Sequence, residues 1–126
     1  MAKGLFKGSF GDGKYNINIS LSIYFWKEDD ICFSYSPALD ITGYGDDEFK
    51  ARDSFEITLS EFLSYTHNKK TIYDELENLG WTVNRKKKRV HAPGLEEILD
   101  DNSSFKEIFN KGKVRRESKN VEFALA

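Results

Sequence analysis

Residues 15–26 read YNINISLSIYFW, with apolar side chains on every second position. Ile17, Ile19, Leu21, Ile23 and Phe25 alternate with Asn16, Asn18, Ser20, Ser22 and Tyr24, the period-two pattern of a strand with one face on a core. Lys27-Glu28-Asp29-Asp30 makes a polar turn, so Ile31–Ser36 is expected to return antiparallel as the hairpin partner. Pro37 lacks the N–H a ladder needs, so it ends that strand or marks a bulge. Residues 40–44 fit a third, short strand, and Gly43-Tyr44-Gly45 reads as the tight entry to a helix.

The period then changes from two to about 3.6. Ala51, Phe55, Leu59, Phe62, Leu63 and Thr66 recur as one stripe, predicting a helix over 47–68 packed across the sheet. Asp46 or Asp47 is its expected cap, since a carboxylate there accepts from free amides and suits the helix dipole. Thr71 with Asp74 suggests a capping box for a second helix, with Ile72, Leu76 and Leu79 inward and Gly80 at its end. Trp81 to Val83 starts a fourth strand. Past Pro93-Gly94, residues 95–99 and 105–109 are two short helical candidates, the second capped by Ser104 and Glu107 and ended by Gly112. Residues 121–125 fit a last short strand. The expected fold class is α+β: an antiparallel sheet with a long helix on one face, ordered β-β-β-α-α-β, plus a small C-terminal extension. Residues 1–92 would form the domain, with 93–126 packed on it.

Composition sharpens this in two ways. The chain has 126 residues, 14% of them aromatic with ten Phe, so one domain can build a core without disulfides. Cys32 is the only cysteine and lies in an apolar run, which gives no disulfide framework or metal set and suits a reducing cytoplasm. No apolar stretch near Met1 is long enough for a signal peptide or membrane span, so a cytoplasmic protein is expected. Charge is uneven: residues 1–80 hold 8 Lys/Arg against 14 Asp/Glu, while residues 81–126 hold 11 against 7. The acidic front half favours a basic partner. The basic rear half permits nucleic acid.

Few residues suggest chemistry. Asp40, Asp46, Asp47 and Glu48 cluster in sequence, but two-metal chemistry needs carboxylates on adjacent rigid elements, and the first strand offers Asn16, Asn18, Ser20 and Ser22 and no carboxylate. His67 and His91 have no metal-spaced partners, and no Cys-His or Ser-His-Asp set assembles. No catalytic residue, metal or cofactor is therefore expected. Arg85-Lys86-Lys87-Lys88-Arg89 has the charge density that phosphate contact requires, and equally that of an exposed turn or a lysine-guarded edge strand. Residues 95–112 imitate a helix-turn-helix, yet Glu96, Glu97, Asp100 and Asp101 would repel a phosphate backbone.

PALDITGYGD at 37–46, the helix with Ala51 and Phe55, and LENLGW at 76–81 together resemble the HicB antitoxin family. In that family a P-x-L-x-x-x-G-x-G-D stretch precedes a helix on a three-stranded sheet similar to a trimmed ribonuclease H fold. The resemblance covers roughly residues 15–81. Asp47 stands where the family usually has a Thr cap, and Lys50-Ala51 where it has Glu-Ala. The tail matches neither a helix-turn-helix nor a ribbon-helix-helix, so operon repression is not carried over. What the resemblance implies is a non-catalytic antitoxin, or an antitoxin-derived interaction protein, that binds a small basic toxin. Its partner contacts are expected at Asp53, Glu56, Ser60 and Glu61. The alternative is a regulator that binds nucleic acid through Arg85, Lys86, Lys87, Lys88, Arg89 and the tail. A homodimer is expected on the ground that the edge of the long first strand needs covering.

Overall fold

The computed structural model describes residues 16–124, with side chains placed from 18 to 122. The alternating segment forms β1 (Asn16–Glu28), and β2 (Ile31–Ser36) pairs antiparallel with it from Tyr24↔Tyr35 to Glu28↔Ile31. The two-residue loop between them, Asp29-Asp30, has positive φ at both positions (52° and 66°). That is the type I′ geometry, whose twist matches the flanking strands. Tyr35 to Ser36 then face Thr42 and Ile41 of β3 (Ile41–Gly45). Asp40, expected at the start of this strand, sits in the turn at φ 54° instead.

Next come α1 (Glu48–Lys69), α2 (Ile72–Asn78), β4 (Thr82–Asn84), β5 (Arg89–His91), α3 (Leu95–Asp101), α4 (Ser103–Asn110) and β6 (Arg115–Ala124). The class is α+β as expected: one antiparallel sheet in the order β3-β2-β1-β6, with the 22-residue α1 across it. Between α2 and α3, β4 and β5 form a separate two-stranded hairpin. No helix among the described residues is long and apolar enough to cross a membrane.

Leu21, Ile23, Phe25, Leu39, Ile41, Phe55, Leu59, Leu63, Ile72, Leu76, Trp81 and Val121 share one core between the sheet and α1–α2. Ile19 and Phe62 pack at its margin, while the side chain of Ile17 lies outside the described residues, as does Leu125. Trp81 precedes β4; its indole N–H donates to the Ala38 carbonyl at 2.7 Å.

Gly43 and Gly45 are strand residues, not the helix-entry turn that the sequence suggested. A Cβ at Gly43 would meet the Phe55 amide nitrogen at 2.4 Å and the Ala51 carbonyl oxygen at 2.6 Å. A Cβ at Gly45 would meet the Lys50 Cβ at 2.4 Å. The glycines therefore let the backbone of α1 rest on β3. At the same crossing the buried Ser34 hydroxyl donates to the Ala51 carbonyl at 2.8 Å, which satisfies it.

The tail differs most from expectation. Its strand is ten residues long and pairs with β1 from Asn16↔Ala124 to Phe25↔Arg115. β6 thus covers one side of β1 along Asn16–Phe25, while β2 pairs only with its Tyr24–Glu28 end. Residues 93–124 complete the main sheet. Their helices also cover its second face: Phe105, only 2% exposed, lies edge-on to Tyr24 with centroids 5.0 Å apart and 5.4 Å from Tyr35. Alternation placed Tyr24 on a polar face; α4 buries it.

Capping divides in the same way. Asp47 accepts from the Lys50 amide at 2.8 Å and starts α1 as expected. Thr71 makes no capping hydrogen bond, so the expected box with Asp74 is absent from α2. The cap of α4 is Asn102, which accepts from the Phe105 amide at 3.0 Å, in place of Ser104 and Glu107. Gly112, at φ 74°, follows α4 as expected.

Candidate functional site

Of the 22 residues of α1, Ala51, Phe55, Leu59, Leu63 and Thr66 are buried against the sheet. The outer face carries large apolar side chains that sequence reading missed: Phe49 is 70% exposed, Ile57 62% and Tyr65 57%. Asp53 and Glu61 fall between them, both exposed, so Phe49, Asp53, Ile57, Glu61 and Tyr65 follow one another at a spacing of four. The signal was present in the sequence as F-x-x-x-D-x-x-x-I-x-x-x-E-x-x-x-Y, hidden because the apolar positions of a helix are ordinarily assigned to its core side.

At 3.6 residues per turn, each step of four drifts about 40° around the helix and rises about 6 Å. Asp53, Ile57 and Glu61 therefore face outward together, and Phe49 and Tyr65 flank them about 80° to either side of Ile57. On a helix surface the neighbours of a residue lie three and four positions away. For Ile57 they are Ser54, Ser60, Asp53 and Glu61: one projecting apolar side chain between two small hydroxyls and two carboxylates.

The four acids of α1 have different surroundings. Glu48 pairs with Arg115 at 2.5 Å. Glu56 accepts from the Lys119 ammonium at 2.8 Å, and that side chain is only 11% exposed. The Glu56 carboxylate therefore ties α1 to β6 and its charge is already compensated within the chain. Asp53 and Glu61 have no ion-pair partner among the described residues. Ser60 lies half-buried beside them. Asp53, Ser60 and Glu61 thus lie together on the outer face of α1, and Glu56 lies on the side that meets β6.

The Glu56–Lys119 pair continues into a charged layer that seals the core at the α1–β6 margin. Glu117 accepts from the Arg52 guanidinium at 2.7 and 2.8 Å and also pairs with Arg115. Arg52 first, then Arg115, hold the Glu117 carboxyl below the usual carboxylate range. Both guanidinium carbons lie over the Phe25 ring, at 5.0 and 4.9 Å from its centroid. Cation–ring contact of this kind lets a charged group cover a buried aromatic.

The basic run is a hairpin turn. Residues 85–88 connect β4 to β5, with Lys88 at φ 54° and the Lys87 amide donating to Asn84 Oδ1 at 3.0 Å. Arg85 is held by Asp74 and Glu77, at 2.7 Å each, and lies over the Tyr73 ring. Lys86, Lys87 and Arg89 are exposed and Lys88 is half-buried. Five charges in a row therefore present fewer than five to solvent.

The four acids near the helix start serve four separate local roles. Asp40 accepts from the Tyr35 hydroxyl at 2.8 Å, Asp46 pairs with Lys50, Asp47 caps α1 and Glu48 pairs with Arg115. No group of three or more His, Cys, Asp or Glu placed to hold a metal occurs among the described residues. Comparison of the chain with protein-family models, curated proteins and solved structures gave no match.

Proposed function

We propose that the chain is a non-catalytic, HicB-like interaction protein that binds a small basic protein across the outer face of α1. The observation that carries this reading is the uncompensated charge at Asp53 and Glu61. Two exposed carboxylates about 12 Å apart along one helix face, with Glu48 and Glu56 of the same helix neutralised by β6, attract a positively charged surface. The resemblance of roughly residues 15–81 to the family supports the same partner class. One free thiol, at Cys32, suits a reducing compartment, and the proposal places the protein in the cytoplasm.

Affinity capture from a lysate of the source cell tests this, with immobilised wild-type chain beside an Asp53→Lys/Glu61→Lys double variant. The wild type should retain a small protein of basic sequence that elutes as salt rises, because such steering is screened beyond about 8–10 Å at physiological ionic strength. The double variant should retain none of it, while Lys86→Glu/Lys87→Glu should retain it normally. Equal capture by all three proteins, or retention of nucleic acid that only the turn variant loses, would sink the reading. The purified chain should also leave labelled RNA and DNA intact with Mg²⁺ or Mn²⁺; cutting abolished by Asp46→Asn/Asp47→Asn would make it an enzyme.

A further inference from the structure

The geometry points to a docking site for one kind of structural element, a basic amphipathic helix, laid across α1 with Ile57 at the centre of contact. This inference rests on the basic-partner reading and specifies what the partner presents. Helices pack when a row of side chains on one fits a groove on the other. On the outer face of α1 such a row is Asp53, Ile57 and Glu61. On one side of it run Ser60 and Ser64, on the other Ser54 and Thr58, all half-buried. The Thr58 hydroxyl donates back to the Ser54 carbonyl at 3.1 Å, so it adds little height or unmet polarity to that groove. A projecting row between two shallow grooves floored by small side chains is the shape that packing of rows at spacing four requires, with crossing near −50° and axes about 8–10 Å apart.

Charge decides the occupant. A second copy crossing antiparallel about Ile57 would set Asp53 of one chain against Glu61 of the other, like charges in a partly desolvated contact. A helix with Lys or Arg four positions to either side of an apolar residue matches both carboxylates and fills the grooves beside Ile57. Phe49 and Tyr65, exposed 70% and 57%, then supply apolar contact where the partner diverges from the axis. Exposed aromatics of that size at the margins of a charged contact are the type enriched at protein interfaces.

The test uses the full chain and two labelled synthetic peptides of identical Lys/Leu/Ala composition. One sets Lys and Leu alternately along a single row at spacing four; the other scrambles them into period two. Fluorescence anisotropy at low salt should show micromolar binding of the first peptide, and at least tenfold weaker binding of the second. Ile57→Ala should weaken the first at least tenfold, the loss that a central contact residue brings. Ser60→Trp, which fills one groove from the solvent side, should abolish binding while the melting temperature of the protein stays unchanged. Equal binding of both peptides, or binding indifferent to Ile57→Ala and Ser60→Trp, overturns helix docking while leaving a basic partner intact. Absence of binding up to hundreds of micromolar overturns it too, and together with failed capture of any basic protein removes the underlying reading. A mass of twice 14.6 kDa in light scattering that reverts to one chain in Ile57→Glu would make a second copy the occupant and overturn the proposal.

Discussion

The Asn102 amide nitrogen donates to the Tyr35 hydroxyl at 2.8 Å, across 67 positions of sequence, while its carbonyl oxygen accepts the Phe105 N–H that opens α4. One side chain therefore both starts the helix and fastens it to the sheet. Replacing Asn102 by Ala removes a cap, typically worth about 1 kcal/mol, and a part-buried hydrogen bond of similar size. The expected loss is about 2 kcal/mol by chemical denaturation. Asn102→Ser keeps a capping oxygen but is too short to reach Tyr35, and should lose about half as much. Equal losses from the two variants would mean that the bond to Tyr35 contributes nothing.

Tyr35 itself makes stability depend on alkaline pH. Burial, reinforced by the hydrogen bond to Asp40 and its charge, pushes the phenol up to about 12. The folded chain thus holds this proton more tightly than the unfolded chain, whose tyrosine releases it near 10. A raised folded value means that the contribution is complete below pH about 10 and is lost as pH rises toward 12. Tyr35→Phe should cost about 1–2 kcal/mol at pH 8, and its deficit relative to wild type should shrink between pH 10 and 12. A deficit that stays constant over that interval would contradict the assignment.

Phe55 and Ile57 are two positions apart on α1 and should respond oppositely. Phe55 is 1% exposed, so Phe55→Ala should cost about 3–5 kcal/mol. Ile57 is 62% exposed, and Ile57→Ala should move stability by no more than about 0.5 kcal/mol. Denaturant midpoints for the pair check the rotation of the helix directly. Similar losses would mean that its faces have been assigned wrongly.

Gly43→Ala should cost about 2–3 kcal/mol, since its methyl would lie within 3 Å of the Phe55 amide nitrogen and the Ala51 carbonyl oxygen, and backbone atoms cannot step aside as a side-chain tip can. Thr42→Ala, one position away on the exposed face, should be nearly neutral. A thermal melt of the two variants separates the effect of close approach from a general weakness of β3.

β1 and α1 were legible because each buries one face, so their apolar residues keep strict time. β6 was not: among its described side chains, residues 115–122, Val121 alone is fully buried, and the strand covers Phe25 with paired charges instead of apolar groups. Ion pairing between residues 63 and 65 positions apart leaves no local period to read. The same holds for Glu56, whose sequence setting is indistinguishable from that of Asp53 and whose role is decided by where Lys119 arrives. Tyr24 was assigned outward because alternation reports on one face only, and α4 supplied a second core behind it. Within the candidate site, Asp53, Ser60 and Glu61 were legible as charge and polarity on the outer helix face. Ile57 was not, since nothing local distinguishes an apolar residue left outside from one buried.

The pairing of β1 with β6 also sets an order in time. A ribosome adding about 5–20 residues per second completes β1 roughly 5–18 s before the matching stretch of β6 exists, since Phe25 waits for Arg115 ninety positions later. During that interval the hairpin of β1 and β2 can form, but the other side of β1 stays bare. The alternate Asn and Ser residues at 16, 18, 20 and 22 suit that wait: they leave the nascent strand one water-compatible face and make a premature neighbour less able to stick.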